Sequence, residues 1–262
     1  MTSLPHERRN KIIEILERKD YAEVSYLSHH FNVSEMTIRR DLEKLDRDGQ
    51  VVRVYGGARL VTKSFSEQTF KERSHTHQNE KAIMAEAAVA LIRDGDVIAF
   101  DASTSALEVS KRIKHFRSLT VVTNNINVAV ELAEVDSIAV ILLGGYLRGK
   151  SLSTTGAALQ LYMQSIYIDK AFISGKAISP VEGLMDSTSD EGEAKQAILQ
   201  KSSKVIVLAD HSKLCKVAFF KVCPNDTIDL LITDDQKTPQ SQEAIRLFKQ
   251  SGVEVISATS SI

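Results

Sequence analysis

Cysteine is nearly missing from this 262-residue chain: Cys215 and Cys223 are the only two. Two thiols make no disulfide framework, and no second Cys pair or His cluster beside them completes a zinc site, so both are expected as plain thiols. Long apolar runs are missing too, none approaching the ~20 residues that a membrane-spanning helix needs. The stretch MTSLPHERRN is polar and lacks the apolar segment of a secretory signal, so the cytoplasm is the expected location and no membrane is an expected partner. Charge of one sign is also lacking. Against 33 Lys and Arg stand 34 Asp and Glu, a net charge of −1, which argues against a protein coated in nucleic acid. Any nucleic-acid role must rest on how the charges are arranged.

What is present is a 43 % hydrophobic composition on a chain long enough for one large domain or two unequal ones. The first sixty residues carry 11 basic and 10 acidic side chains, so their balance is as even as that of the whole. Ile12, Ile15, Leu16 and Lys19 recur at helical spacing and predict a helix from Glu7 to Lys19. Val24, Leu27 and Phe31 predict a second from Glu23 to Phe31. Beyond it stands Asn32-Val33-Ser34, an Asn that tolerates the left-handed conformation, a Val to fill the angle between helices, and a Ser to cap a third helix.

That third helix is predicted from Glu35 to Asp48. Ile38, Leu42 and Leu45 share its apolar side, while Met36, Arg40, Glu43, Lys44 and Arg47 face away and Thr37 and Arg39 flank. Gly49 ends it, Val51 to Tyr55 reads as a strand, and Gly56-Gly57 turns the chain into a hairpin. Three helices and a wing make a winged helix-turn-helix whose third helix enters the major groove. The rival reading, a charged face that is merely solvated, leaves the turn, the cap and the glycine pair unexplained.

From Arg59 to Glu80 no apolar period is sustained, and a linker is expected. His75 and His77 lie within it, but no carboxylate or thiol spacing completes a metal site, so no metal is expected. From Lys81 the chain alternates helical segments with apolar runs at 97–100, 119–122, 138–143, 171–173, 205–209, 230–232 and 253–256. That alternation predicts a parallel α/β sheet. Small and polar residues follow the runs: Asp101-Ala102-Ser103-Thr104-Ser105, Thr123-Asn124-Asn125, Gly144-Gly145, Ser174-Gly175-Lys176, Asp210-His211-Ser212-Lys213 and Thr233-Asp234-Asp235. Ligands bind along that edge of such a sheet. Ser103, Thr104 and Ser105 ahead of a helix from Ala106 to Arg112 read either as a plain N-cap or, with Lys213, Arg148 and Lys150 as cations on the same edge, as a site for a phosphate. Expected domains are therefore 1–58, a linker 59–80, and 81–262.

Arg8, VSEMTIRRDLEKLDRDG and VVRVYGGA resemble the N-terminal domain of DeoR-type bacterial transcription regulators, with Tyr55 where that family more often has His. DASTS, VTNN, GGYLRGKSLSTTG, DEGEAKQAIL, LADHSKLCK and LLITD resemble the same family's effector-sensing domain, whose sheet is similar to sugar-phosphate isomerases of the ribose-5-phosphate type. The resemblance implies DNA contacts by Ser34, Met36, Thr37, Arg39, Arg40 and Arg53, to which the outward face of the third helix adds Lys44. It implies effector contacts by Asp101, Ser103, Thr104, Ser105, Asn124, Asn125, Gly144, Gly145, Glu191, Lys195, Asp210 and Lys213, beside Arg148. Ser103, Ser174, Lys176 and Cys215 depart from the family pattern of Gly, Gly, Asp and Gly. Side chains at 103 and 215 would narrow the approach of backbone to ligand, and Lys176 would favour a second negative group.

The function so implied is an operator-binding regulator of sugar or polyol catabolism, usually a repressor, bacterial, with a phosphorylated sugar or polyol as signal. It works as a dimer or tetramer, associates with the nucleoid through DNA, and needs no cofactor. The competing class is an isomerase-like enzyme fused to a DNA-binding module. Glu191, Glu193, Asp210 and His211 offer it a general base, but no compact nucleophile and base pair appears, so no catalytic residue is expected.

Overall fold

A computed structural model of the chain describes residues 5–19, 21–47, 51–54, 56–60, 68–234 and 238–259. The chain divides into two compact units, Met1–Ser66 and Glu67–Ile262.

The first unit runs α1 (Pro5–Lys19), β1 (Ala22–Glu23), α2 (Val24–Phe31), α3 (Glu35–Arg47), β2 (Val51–Val54) and β3 (Gly57–Leu60). Its core is the set that the helical spacing selects, with Ile12, Leu16, Val24, Leu27, Ile38, Leu42 and Leu45 all buried. Each removes apolar surface worth about 1.5 to 3 kcal/mol. Asn32 closes α2 in the left-handed region at φ 51°, and Ser34 Oγ accepts from Thr37 N at the start of α3, as the sequence predicts. The wing differs from expectation by one strand. β1 pairs with β3 and makes the sheet three-stranded in the order β1-β3-β2. Gly57 permits this, because a Cβ there would lie 2.3 Å from the carbonyl oxygen of Ala22. Asp48, Gly49, Tyr55 and the side chains of Lys19 and Arg53 lie outside the described residues.

The second unit begins earlier than 81. α4 (Phe70–His75) and the first turn of α5 (Gln78–Val89) occupy much of the expected linker. α4 is set by a capping box, in which Thr69 accepts from Glu72 N while the Glu72 carboxylate accepts from Thr69 N. A six-residue helix with Phe70 as its one buried apolar anchor has no period to read, which is why the sequence hides it.

Next come β4 (Val97–Phe100), α6 (Thr104–Ser110), β5 (Leu119–Thr123), α7 (Ile126–Leu132), β6 (Ile138–Leu142), β7 (Tyr146–Arg148), β8 (Ser153–Thr155) and α8 (Ala157–Met163). They are followed by β9 (Ile168–Ile173), β10 (Ala177–Ser179), β11 (Gly183–Asp186), α9 (Ser189–Leu199), β12 (Ser202–Leu208), β13 (Phe220–Cys223), β14 (Leu230–Asp234), α10 (Pro239–Gln250) and β15 (Glu254–Ala258). Seven strands form one parallel sheet in the order β15-β14-β12-β9-β4-β5-β6, as the alternation of segments predicts. Both faces are buried. Ile98, Phe100, Phe172, Ile206 and Leu208 pack with α5, α6 and α7 on one side, and Ala99, Ile173, Val205 and Val207 pack with α8, α9 and α10 on the other.

Two antiparallel additions are not legible as strands: the β7-β8 hairpin and the ribbon β10-β11-β13. They are three or four residues long and sit inside strand-exit loops. Gly183, at φ +83°, turns β10 into β11 where a Cβ would meet the Cys223 carbonyl oxygen at 2.1 Å. Chain order reverses between β4 and β9, since β5 and β6 lie on one side of β4 and β9, β12, β14 and β15 on the other. The crevice beyond β4 and β9 is the switch point at which ligands bind in open α/β sheets.

Candidate functional site

In the first unit the outer face of α3 is polar and open. Met36 is 61 % exposed, Arg39, Arg40 and Lys44 are exposed, and Thr37 is half-buried. Ser34 and Thr37 share a hydroxyl hydrogen bond of 2.9 Å, so both help to cap the helix as well as to border that face. Asp41, on the same helix, is buried against α1, where Arg8 Nε donates to it at 2.6 Å and Arg9 lies at 3.6 Å. Arg8 therefore fixes how α3 is presented. Arg53 lies on β2, with its side chain outside the described residues.

In the second unit the switch-point crevice brings together most of the strand-exit residues. Asp101, fully buried at the end of β4, accepts from Ser103 N at 3.2 Å and, through its other oxygen, from Ser174 N at 3.0 Å. Lys195 comes up from α9 and lies 3.0 Å from Asp101 Oδ2 and 3.2 Å from Asp186 Oδ2. Burial works against the Lys195 charge, but Asp101, Asp186 and Glu191 outweigh it and hold the pKa above the ordinary lysine range. Glu191 is one helical turn before Lys195 and faces the same way. Its Oε1 accepts from Arg148 at 2.8 Å and from Ser153 at 2.5 Å. Burial raises its pKa, and Lys195, Ser153, Ser151 and Arg148 more than reverse that.

Asn125 caps α7 with its carbonyl oxygen and donates to the backbone carbonyls of Asp101 and Ser103, both at 3.2 Å. It locks the first exit loop to the second. Asn124 donates to Thr154 O at 3.0 Å. Lys213 donates to Ser174 Oγ at 2.7 Å, and its pKa is lowered by burial against the pull of Asp210. Lys176 is half-buried and lowered for the same reason, with Asp186 opposing and Arg73 adding to the shift. Asp210, also buried, accepts from Ser212 N at 3.0 Å, and Lys213 and Ser212 hold it below the usual carboxylate range despite burial.

Several of the expected contacts also have a structural role. α6 starts at Thr104, two residues early, because Ser103 is its cap: the hydroxyl accepts from Ala106 N at 3.0 Å. Gly145 has φ +146° and a Cβ there would strike the Thr155 carbonyl oxygen at 2.2 Å, so it serves the β7-β8 hairpin, and Gly144 beside it is exposed. Arg148 is held by the Glu191 carboxylate and Ser151. Cys215 is exposed and sits at φ +54°, the conformation that favours glycine at that position.

Sequence reasoning misses two cations. Arg73, on α4, reaches Ala102 O at 3.5 Å and stacks over Phe70. Lys81, buried in α5, is lowered to about 8, first by burial and then by Lys213, with Arg73 adding. Neither is visible in the sequence because both lie in or beside the stretch that reads as a linker. His77 has Glu80 three residues on, and the fold brings His211 beside the two of them.

Among the described residues six buried side-chain polar atoms lack a hydrogen-bond partner, and four of them belong to this cleft: Arg73 Nε, Ser105 Oγ, Asn124 Oδ1 and Glu191 Oε2. Buried polar groups are rarely left so. No helix among the described residues is long and apolar enough to cross a membrane.

The chain matches two family profiles, the DeoR-like helix-turn-helix domain over residues 8–64 and the DeoR C terminal sensor domain over residues 76–235. It is 36 % identical to the uncharacterized HTH-type transcriptional regulator YulB of Bacillus subtilis, over 91 % of this chain and 92 % of that one. Identity to the HTH-type transcriptional regulator GlpR of Haloferax volcanii is 34 %, over 97 % and 98 %. To the HTH-type transcriptional repressor GlcR of Bacillus subtilis it is 34 %, over 95 % of each chain. Among solved structures, a ribose 5-phosphate isomerase of Methanocaldococcus jannaschii shares 15 % identity over 53 % of this chain and 55 % of its own, with a TM-score of 0.40. With both profiles matched in order and relatives aligned over nearly their full length, this chain belongs to the DeoR family of DNA-binding transcriptional regulators.

Proposed function

We propose that this regulator represses a sugar or polyol operon and is released from its operator when a phosphorylated sugar or polyol binds in the switch-point cleft. The observation that carries the reading is the chemistry of the unpartnered atoms. Asn124 Oδ1 and Glu191 Oε2 only accept, which suits the hydroxyls of a polyol. Arg73 Nε donates, close to Lys81, Lys213 and Lys176, which suits a phosphate. A ligand with both groups satisfies both sets at once.

On the DNA side, Met36, Thr37, Arg39 and Arg40 face the groove, Ser34 sits at its edge, Lys44 meets the backbone, and Arg53 comes from the wing. Five basic and five acidic residues between Ser34 and Ala58 leave a single unit with a modest, salt-sensitive grip, so more than one copy is needed for selectivity. Leu142, Tyr146, Leu147, Leu161 and Tyr162 are exposed apolar residues of the second unit and offer a surface for a second copy. Coupling is reciprocal, so operator DNA weakens effector binding by the factor by which effector weakens DNA binding. GlcR, by its name a repressor, supports this direction.

The test is calorimetry of the full chain with a panel of phosphorylated sugars and polyols, followed by anisotropy of labelled operator with each binder. One or more is expected to bind and to lower operator affinity. A panel in which every binder leaves the operator complex unchanged, or in which one is turned over, rejects the reading in favour of a constitutive binder or an enzyme.

A further inference from the structure

We propose that His77, Glu80 and His211 form a binding site for a divalent transition-metal ion of the zinc class. One donor atom from each lies within 4.8 Å of the other two; Glu80 and His211 are half-buried and the His77 side chain is 38 % exposed. His77 Nδ1 is 3.8 Å from Glu80 Oε1. The two imidazoles meet edge to face, with centroids 5.3 Å apart and planes at 89°, so the pair is not a stacked one.

His211 is already oriented as metal-binding histidines are. Asp234 Oδ2 lies 2.7 Å from its Nδ1, and Asp234 Oδ1 accepts from its backbone N–H at 2.6 Å. Asp234 is buried, so this grip is firm. A carboxylate on one ring nitrogen fixes the tautomer and leaves Nε2 for the ion. His77 stands at the N-terminal cap of α5 with its imidazole making no cap hydrogen bond, so the ring is not tied to the helix start.

As an ion pair alone, His77 and Glu80 at this distance and exposure contribute little. As a donor set, two imidazoles and a carboxylate match zinc with a fourth position left for water or an anionic oxygen, and they do not match the all-oxygen shells of magnesium or calcium. Placement gives the ion a consequence. His77 joins α4 to α5, between Arg73 and Lys81, while His211 is two residues before Lys213. An ion there ties together the segments that carry the cleft cations.

The test needs neither effector nor DNA, so its failure is separate from that of the repressor reading. Chelator-stripped full-length protein is titrated with cobalt(II), read by its visible absorption, and with zinc by calorimetry. One equivalent per chain is expected, with zinc displacing cobalt and raising the melting temperature. His77→Asn, which keeps a residue tolerant of the left-handed backbone at φ 51°, and His211→Ala are each expected to weaken zinc at least about tenfold. Glu80→Gln, half-exposed and benign to folding, is expected to do the same, whereas His75→Ala has no effect. The proposal is overturned if stripped protein takes up no zinc, or if uptake survives Glu80→Gln and His77→Asn, which would place the metal on other histidines.

Discussion

Lys81 Nζ donates to the backbone carbonyl of Arg73 at 2.5 Å and to that of Thr76 at 2.5 Å. One buried ammonium thus stops α4 at its C-terminal end and sets the base from which the Arg73 side chain enters the cleft. It does so at a cost, since burial and the neighbouring Lys213 lower its pKa from 10.5 to about 8. Between those two values the unfolded chain binds more protons than the folded one, so stability contributed by this group rises with pH across that window. Ligand binding runs the other way. A phosphate beside Lys81 favours its protonated form, so affinity for a phosphate ester is expected to hold below about pH 8 and to weaken above it. Calorimetry on either side of that value checks the step. In Lys81→Met affinity is expected to be low and the step absent; a step that persists belongs to another group.

The Lys195 ammonium neutralises Asp101 and Asp186 where none of the three is well exposed. Removing one partner of a buried ion pair strands the other charge, at about 3 to 5 kcal/mol. Lys195→Met is therefore expected to destabilise the second unit by about that much in urea unfolding. Arg246→Ala, which breaks the exposed pair with Glu243, is expected to leave the midpoint where it is. Equal effects from the two changes would mean that the Lys195 cluster is solvated in solution.

These two lysines show what a sequence discloses. Lys195 comes into view only through the resemblance of DEGEAKQAIL, and the structure sets it on α9 four residues after Glu191. Lys81 carries no such mark, because its partners are backbone carbonyls of a helix that only a capping box reveals. The winged domain was legible nearly throughout, since Ile38, Leu42 and Leu45 fix one face of α3 and Asn32 fixes the turn. The parallel sheet was legible from its apolar runs. Its order was not, and order decides which exits meet: Asp101 touches Ser174 only because β9 lies beside β4. Likewise His77 and His211 are far apart in the chain and become neighbours only through the fold.

On α3, Arg40 is exposed on the face opposite Ile38 and Leu42, and Lys44 comes one turn later. If Arg40 pairs with a base, Arg40→Ala is expected to cost about 1 to 3 kcal/mol on the operator and to relax preference at one position. If Lys44 meets phosphate, Lys44→Ala is expected to weaken all duplexes alike and to reduce the salt dependence by about one counterion. Anisotropy titrations with operator and scrambled DNA at several salt concentrations distinguish the two, and a uniform loss for Arg40→Ala removes it from base reading.

Glu191 separates the two halves of the proposed ligand. Its Oε1 is committed to Arg148 and Ser153, while Oε2 is buried and has no protein partner. An ionised acceptor in that position suits a hydroxyl of the polyol and repels the phosphate. Glu191→Gln keeps the shape but offers a neutral amide, and a hydrogen bond to a charged group contributes about 1.5 to 3 kcal/mol. Affinity for the phosphorylated polyol is accordingly expected to fall roughly ten- to hundredfold. Inorganic phosphate, which has no carbon-borne hydroxyl, is expected to bind as well as before or better, because a negative charge has left the cleft. If phosphate binding falls in step with polyol binding, Glu191 acts by holding Arg148 for the anion and not by touching the sugar. If neither falls, Glu191 only fastens α9 to the β7-β8 hairpin through Arg148 and Ser153.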